Sequence, residues 1–464
     1  MEINSLLSSV LKKITPTEKE KKEVGNVMEK VLAVAGSVAK LSGLSITLSG
    51  SMIRNTWMPH KKEFDLFILF PENVPREDLE KTGLTTGKKI IKSLNGTYKI
   101  AYAEHPYVRG KIKGYDIDIV PCYKVSSAER IKSAVDRTPF HNRWLEKNLP
   151  LKLSGDVRLL KQFTKNIGVY GSDAKTLGFS GYLCEILCIS YGSFLGLIKD
   201  VPNWLPGKIF IDTGNYYKDS EYRKSVARKF SPQPLIVIDP VDRHRNVAAA
   251  LSSENFVRFR SACKKLLESP SESLFFCSPE KPNLEKIMKK RGTELIGIEF
   301  SSPGIIPDIL WPQLRKTAKR LSDILKENEF RVIGSAIYEN KKCIIILEVE
   351  DLQLPKLRKI TGPEISIIDR SDEFIEKYSS RGRVWVENNC WFAEVQREFR
   401  HAHDKVKQTL NVPLKQLLDK GIPGHVAGQV AKGFRVLGNR EIVSLAKKDK
   451  KFAESLGRFF AETI

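Results

Sequence analysis

The sequence predicts an α+β protein of several domains, on three observations. Its 464 residues exceed the size of one ordinary domain, so roughly three or four domains are expected. Hydrophobic residues at 41% and charged residues at 28% are typical of a globular chain. Runs of strand length and longer runs of helical periodicity both occur, in an order that changes along the chain.

Residues 1–150 are predicted to form a small α/β domain, here called the head. Thr15 and Pro16 fit the cap and the first position of a helix, and Glu18 can close a capping box. Alternating and apolar runs then predict strands that are separated by one further helix. The predicted strands cover 44–49, 64–70 and 115–120, and the second helix covers 77–94.

The next domain, residues 151–268, is predicted to be helical and is called the neck. Its amphipathic runs cover 157–166, 182–197 and 256–267. The order then changes to strand, helix, strand and strand, which predicts an α+β body over 283–353. The predicted body elements are strands over 295–300, 331–337 and 343–350 and a helix over 313–327.

A small tail subdomain is predicted over 354–410, and basic C-terminal helices of the body over 411–464. The tail contains Trp385 and Trp391. Tryptophans in short strands can stack on RNA bases, but such a pair is more typical of a core. Core positions are therefore the preferred interpretation of both residues.

The charge balance indicates a polyanionic partner. There are 77 Lys and Arg residues against 55 Asp and Glu residues, a net charge of +22. No apolar run approaches the ~18 residues of a membrane-spanning helix, and the N-terminus lacks a signal-peptide pattern. We therefore expect a cytoplasmic protein without a membrane partner. The 7 cysteines form no C-x-x-C pair, so reduced, buried thiols are expected.

Acidic residues on two predicted strands indicate phosphoryl-transfer chemistry. Glu63 and Asp65 lie two residues apart in a strand and so share one face, as Asp116 and Asp118 do in a later strand. Carboxylates on one face repel each other unless a cation lies between them, and Mg²⁺ prefers such oxygen ligands. An isolated acidic pair is more typical of a solvated strand face, but the combination matches a two-metal site.

A Gly-Ser turn precedes the first acidic strand. Gly50 and Ser51 end a predicted strand and open what looks like a short helix. Backbone N–H groups at a helix N-terminus, together with the serine hydroxyl, could hold phosphate oxygens. This motif is weak by itself but consistent with phosphate groups beside the acids.

These residues resemble the signature of archaeal class I CCA-adding tRNA nucleotidyltransferases, which belong to the DNA polymerase β-like nucleotidyltransferase superfamily. The resemblance is strongest over roughly 45–255 and fades toward the C-terminus. The motifs that carry it are GSMIRNTW (50–57), EFD (63–65), AEHPY (103–107), DIVPCY (118–123), SAVDRTPFH (133–141), VRLLK (157–161), GFSGYLCE (178–185) and RNVAA (245–249).

The resemblance implies a role for each matching residue. Glu63, Asp65 and Asp118 would bind the metals; the first position is often Asp in the superfamily, and Asp118 is preferred over Asp116 because the family's VPCY sequence follows it. The implied nucleotide-binding residues are Ser51, Arg54, His141, Lys161 and Tyr170. Arg245 would read the edge of the incoming base, held in place by phosphates of the bound RNA, a task that suits the five donors of a guanidinium.

The function implied is template-independent addition of CCA to the 3′ end of tRNA. The substrates would be CTP and ATP, two Mg²⁺ ions would assist phosphoryl transfer, and pyrophosphate would leave. The resemblance further implies a head with the polymerase β-like nucleotidyltransferase fold, and an RNA-binding body and tail that grip the acceptor and T-loop half of tRNA. Archaeal relatives suggest a homodimer. The alternatives are a poly(A) polymerase-like terminal nucleotidyltransferase and a tRNA-binding protein whose head has lost catalysis.

Overall fold

The computed structural model describes residues 2–59, 61–102, 104–276 and 283–461. The chain divides into two compact units, the first covering residues 1–278 and the second running from 279 to 463. The predicted mixture of helices and strands in several domains is confirmed, and each unit is described by itself below.

The first unit contains nine helices and eight strands within its described residues. The helices are α1 (Ile3–Ile14), α2 (Glu18–Lys40), α3 (Arg76–Ser93), α4 (Thr138–Asn148), α5 (Ser154–Asn166), α6 (Gly181–Tyr191), α7 (Phe194–Asp200), α8 (Ser220–Lys229) and α9 (Ser253–Glu268). The strands are β1 (Ser45–Ser49), β2 (Glu63–Phe70), β3 (Thr97–Tyr102), β4 (Pro106–Ile112), β5 (Tyr115–Tyr123), β6 (Ile209–Asp212), β7 (Leu235–Asp239) and β8 (Asp242–Asn246).

The head is built on a five-stranded sheet in the order β1-β2-β5-β4-β3. Only the β2–β5 pair is parallel; the other neighbours are antiparallel. Helices α2 and α3 cover one face, where Phe64, Leu66 and Ile68 of β2 join their apolar side chains in a core. The opposite face of β2 carries Glu63 and Asp65 at the start of the strand, as the alternation in the sequence predicts, and Phe67 and Leu69 further along.

The start of α2 differs from the prediction. Thr17, not Thr15, caps the helix, and the capping box is closed by Glu20 instead of Glu18. Thr15 instead ends the preceding helix α1, which the sequence analysis did not predict. The end of one helix and the start of the next thus meet where one start was expected, and the cap moves two residues along the chain.

Helix α1 packs against the neck although it lies within the predicted head range. Its apolar stripe of Leu6, Leu7, Val10 and Ile14 is buried in the same core as α5 and the other neck helices. Twelve residues are too few to form a stable isolated helix in water, so burial of this stripe has to stabilise it.

The neck is helical as predicted but also contains an unpredicted sheet. The predicted helix over 182–197 is broken into α6 and α7, because Gly192 adopts a left-handed conformation at φ +70° and Ser193 caps the next helix. A three-stranded sheet, β6-β7-β8, lies between α7 and α9 in the chain. Its central strand β7 is buried throughout.

The second unit has a four-stranded antiparallel sheet in the order β10-β11-β9-β15 and a separate three-stranded sheet, β12-β14-β13. Strand β15 completes the body sheet in a region predicted to be helical only. The helices of the second unit are α10 (Leu284–Arg291), α11 (Pro307–Glu327), α12 (Ile368–Ser379), α13 (Ala402–Leu410), α14 (Leu414–Asp419), α15 (Gly424–Val430), α16 (Asn439–Lys448) and α17 (Lys450–Ala461). Its strands are β9 (Glu294–Ser301), β10 (Val332–Glu339), β11 (Lys342–Val349), β12 (Leu357–Glu364), β13 (Val384–Glu387), β14 (Cys390–Gln396) and β15 (Phe434–Leu437).

Both tail tryptophans are only partly buried, and neither belongs to a core cluster of the described residues. The preferred interpretation of Trp385 and Trp391 as core residues is therefore wrong. Helix α12 packs against the tail sheet, and Ala393 and Val395 are buried on one face of that sheet. Trp385 pairs across the strands with Phe392, and the two rings stack at 5.8 Å on the face opposite to Ala393.

Within the described ranges, no single helix has the length and composition of a membrane span. Only the consecutive pair 181–191 and 194–203 reaches that length together, and its two parts meet at an angle of 87°. Cys277 lies outside the described residues. The other six cysteines are free thiols; five are buried, as predicted, and Cys390 is partly exposed.

Candidate active site

The three predicted metal-binding acids lie together on the face of the head sheet opposite to α2 and α3. In the parallel pairing of β2 with β5, Asp65 lies opposite Asp118 and Glu63 lies opposite Asp116. Side chains at these positions point to the same face because both strands follow the same alternation. All four acids line one cavity of about 440 Å³.

Asp65 has the strongest electrostatic signature of the group. Burial, followed by the negative charges of Asp118 and Glu63, raises the pKa of Asp65 from 3.8 to about 6, although Lys61 and Arg54 act in the opposite direction. The largest part of this rise reflects the burial of the carboxylate, and the acidic neighbours add to it more negative charge than Lys61 and Arg54 offset. A bound cation would relieve that excess.

Two basic side chains neutralise part of the acidic cluster. Arg109 binds both oxygens of Asp118, through Nε at 2.7 Å and Nη2 at 2.6 Å, and Lys61 binds Glu63 at 2.7 Å. Hydrogen bonding to Asp118 raises the pKa of Arg109. Arg109 lies directly opposite Asp118 in the β4–β5 register, a neighbour that sequence analysis missed because it did not predict β4.

The chemistry of these donors fits a divalent cation, although the side chains are not yet arranged around one. Across 2–59, 61–102, 104–276 and 283–461, no three His, Cys, Asp or Glu side chains form a ready metal site. The oxygens of Asp118 and Glu63 face Arg109 and Lys61 instead. Carboxylate oxygens on adjacent strands are suitable ligands for Mg²⁺, provided that these ion pairs open.

The Gly-Ser motif forms a turn, and the expectation that it opens a helix is wrong. The backbone N–H of Thr56 donates to the carbonyl of Ser51 at 2.9 Å, and Asn55 has a left-handed φ of +53°. Gly50 precedes the turn at φ +109°, where side chains are strained, close to the carboxylate of Asp65. Ser51 thus lies next to the acidic cluster without support from a helix dipole.

Two of the predicted nucleotide-binding residues, Arg54 and Lys161, contact the same buried acid, Glu185. Arg54 donates to Glu185 through Nη2 at 3.1 Å, and the Lys161 ammonium lies 3.2 Å from Glu185 Oε1. The Thr56 hydroxyl donates to the same oxygen at 2.7 Å and accepts from Lys161 at 3.1 Å. Arg54 also donates to Asn142 at 2.8 Å. These partners, the cations above all, lower the pKa of Glu185 in spite of its burial.

Tyr170 joins the same side of the site. Its hydroxyl lies near the first residue of α6, since a Cβ built on Gly181 would be 3.1 Å from that oxygen and 3.8 Å from Lys161 Nζ. Burial raises the pKa of Tyr170, which keeps its hydroxyl neutral and able to donate. Tyr170 and Lys161 therefore present donors at one place, as the resemblance implies.

His141 and Arg245 meet at a second buried acid, Asp239. One oxygen of Asp239 lies 2.8 Å from His141 Nε2 and 2.8 Å from Arg245 Nη1. The His141 ring also stacks on Tyr182 with 4.1 Å between ring centres. Arg245 was expected to depend on RNA phosphates for its position. A carboxylate of the neck already holds it.

Sequence analysis missed Arg109, Glu185 and Asp239 as members of the site. Glu185 ends one of the motifs that match the family, and Asp239 ends a wholly apolar run, an unusual place for a charge. Either signal could have marked a buried, paired acid. Arg54, a partner of Glu185, and His141, a partner of Asp239, lie far from these acids in the chain, so the two contacts could not be read from sequence.

Comparison with known proteins identifies the family. Three family models match: the nucleotidyltransferase domain over residues 32–141, the second domain of tRNA nucleotidyltransferases over 155–276, and the C-terminal domain of CCA-adding enzymes over 291–439. The CCA-adding enzyme of Methanocaldococcus jannaschii is 38% identical over 91% of this chain and 94% of its own length. This chain belongs to the CCA-adding enzymes.

Other archaeal CCA-adding enzymes agree closely with this match. The enzyme of Methanosarcina mazei is 37% identical over 95% of both chains, and that of Archaeoglobus fulgidus is 36% identical over 88% of this chain and 89% of its own. The resemblance drawn from the motifs is thereby confirmed, and it extends into the C-terminal half, where the motifs had faded. A nucleotidyltransferase domain in the head is confirmed as well.

Proposed function

We propose how this CCA-adding tRNA nucleotidyltransferase uses its described residues to extend the tRNA 3′ end. The enzyme takes nucleoside triphosphates and tRNA as substrates, and its family uses divalent metal in general. The observation that carries the proposal is the β2–β5 register, which sets Asp65 beside Asp118 in one cavity with Glu63. The finer assignments below are ours.

Glu63, Asp65 and Asp118 bind the divalent ions, for which we propose two Mg²⁺. Held by these three carboxylates, the ions would supply charge compensation for the triphosphate and a lowered pKa for the RNA 3′-hydroxyl. The raised pKa of Asp65 supports this role, because a carboxylate surrounded by like charges gains most from a cation. Arg109 and Lys61 act as counter-charges that leave the acids when the site is loaded.

Arg54, Lys161, Tyr170 and Ser51 hold the triphosphate. Arg54 and Lys161 share the single negative charge of Glu185, so the group keeps one net positive charge for a phosphate. Tyr170 and Ser51 add neutral hydroxyl donors. Phosphoryl transfer requires chiefly such positioning and charge compensation, so no general-base histidine is needed.

Arg245 and His141 recognise the base of the incoming nucleotide. Arg245 has donors suited to cytosine N3 and O2 and to adenine N1, whereas the donor at uracil N3 or guanine N1 opposes it. Cytosine and adenine are thus accepted by one side chain, and CTP and ATP are the substrates. The sequence C, C and then A requires that the growing RNA end also contributes to selection.

We propose that the second unit grips the acceptor and T-loop half of tRNA. The face of its tail sheet opposite to Ala393 carries the stacked rings of Trp385 and Phe392. The Lys359 ammonium lies 3.8 Å from the Phe392 ring centre, and the Arg383 guanidinium lies 5.1 Å from that of Trp385. Aromatic rings flanked by cations are suitable for bases and phosphates. We further propose that the enzyme is cytoplasmic and that it forms a homodimer. Light scattering of the purified protein would test the dimer.

The deciding experiment is nucleotide addition to a tRNA that ends at its discriminator base. We expect incorporation of C, C and A followed by arrest. A poly(A) polymerase-like enzyme would continue to add A, and a non-catalytic tRNA-binding protein would add nothing. Either of these results would contradict the proposed activity.

A further inference from the structure

Asp239 is a buried carboxylate whose two oxygens are both fully engaged. Oδ2 lies 2.8 Å from His141 Nε2 and 2.8 Å from Arg245 Nη1. Oδ1 accepts from the Tyr182 hydroxyl at 3.2 Å and from the backbone N–H of Val241 at 3.1 Å. Its side chain is 0% exposed. Burying a charge is costly, so these partners have to compensate for lost hydration.

The backbone that carries Asp239 and Arg245 is tightly fixed. Asp239 ends β7, and Arg245 lies in β8, the strand paired with it. The next residue, Asn246, accepts from the Val237 N–H at 2.8 Å and donates to the Leu235 carbonyl at 2.8 Å. The two charged residues therefore meet on a hairpin that cannot easily separate them.

Asp239 holds the guanidinium of Arg245 through one of its three nitrogens, Nη1. Nη1 is bound to Asp239, and within the described residues the structure gives Nε and Nη2 of Arg245 no other hydrogen-bond partner. The Arg245 side chain remains 37% exposed. A guanidinium fixed in this way keeps donors at a defined place for a base edge. Less conformational entropy is then lost when a base binds than with an arginine that is free to move.

The same carboxylate fixes the second base-side residue. His141 lies in α4 of the head, and it is held by Asp239 on one side and by stacking on Tyr182 on the other. Tyr182 itself donates to Asp239. One acid of the neck therefore sets the positions of an arginine, an imidazole and an aromatic ring relative to each other.

We propose that Asp239 is a positioning residue for nucleotide selection, which holds Arg245 and His141 as one preorganised unit. This inference rests on the proposed role of Arg245 in reading the base. Rejection of UTP and GTP depends on opposed donors at a fixed separation, so a guanidinium that can move away loses discrimination. Loss of the Asp239 charge should therefore relax selectivity more than it weakens triphosphate binding, which other residues perform.

The test compares Asp239→Asn and Arg245→Ala with a matched control, Asp242→Asn. Asp242 is another buried acid of the same hairpin, but it pairs with Arg137 at 3.0 Å and not with Arg245 or His141. The assay is single-turnover addition of each of the four nucleotides to tRNA ending at the discriminator base, at C and at CC. Thermal unfolding is measured for every variant.

We expect Arg245→Ala and Asp239→Asn each to lower the preference for CTP over UTP, and for ATP over GTP, by about tenfold or more. The double variant that combines Asp239→Asn with Arg245→Ala should lose no more selectivity than Arg245→Ala alone, because both substitutions disrupt the same contact. Asp242→Asn should lose stability but keep selectivity. Asp239→Glu retains the charge yet shifts the carboxylate by one methylene, so it also relaxes selectivity and serves if Asp239→Asn does not fold.

Two results would overturn the inference, and they differ. If Arg245→Ala keeps normal selectivity, the base-reading role fails and the inference fails with it. If Arg245→Ala relaxes selectivity but the folded Asp239 variants behave like Asp242→Asn, the base-reading role stands. In that second case Asp239 is merely structural.

Discussion

Replacing Asp65 by Asn should abolish catalysis and yet stabilise the metal-free protein. The pKa of Asp65 is raised from 3.8 to about 6 by burial and by its acidic neighbours. A shift of about two units, at about 1.4 kcal/mol per unit, corresponds to up to about 3 kcal/mol that the ionised side chain costs the folded state. Asn removes this cost together with a proposed metal ligand.

The sign of the pH dependence follows from the raised pKa. The folded protein keeps the Asp65 proton to higher pH than the unfolded chain, so the wild type loses stability as the pH rises from about 4 to about 6. Asp65→Asn has no such proton. The stability difference between variant and wild type should therefore grow across this interval and level off above it.

The assay is urea unfolding in the presence of EDTA at about pH 4.5 and about pH 7.5, together with CTP and ATP incorporation. The difference in the free energy of unfolding between variant and wild type is compared at the two pH values. Effects of the substitution that do not depend on pH, such as a poorly paired amide, cancel in this comparison. Asp116→Asn is the activity control, since it removes an acid from the same cavity but outside the proposed metal set. A pH-independent stability difference would refute the electrostatic reasoning, and near-normal incorporation by Asp65→Asn would refute its catalytic role.

Three further predictions concern charge and packing. Glu185→Gln should raise the KM for CTP and ATP by about tenfold, because Arg54 and Lys161 lose the shared carboxylate that holds both side chains in place; an unchanged KM would contradict this. The logarithm of tRNA affinity should fall linearly with log salt, by about 0.7 to 0.9 per phosphate contact, and salt-independent binding would exclude a basic grip. Gly110→Ala should destabilise the protein by about 1–3 kcal/mol in denaturant unfolding, since its Cβ would lie 2.2 Å from Ile91 Cδ1, whereas Gly25→Ala meets no atom within 4 Å and should not.

Local patterns were sufficient for the faces of the predicted strands and for the longer helices α2, α3, α5, α9 and α11. The alternation in β2 determines that Glu63 and Asp65 share a face opposite to Phe64, whatever the strand pairs with. Errors arose where neighbouring segments compete. Thr15 and Thr17 are both acceptable caps, and the choice between them depends on α1, which is stabilised by packing onto the neck and not by its own sequence.

What the sequence by itself determined was the family, the strand faces and the residue types available for metal, phosphate and base. Only the tertiary structure decided which of them meet. The parallel register sets Asp65 beside Asp118, Glu185 collects two cations from distant segments, and Asp239 unites His141 with Arg245. The physical reason is that burying a charge is tolerable only with partners, and the fold alone brings those partners together.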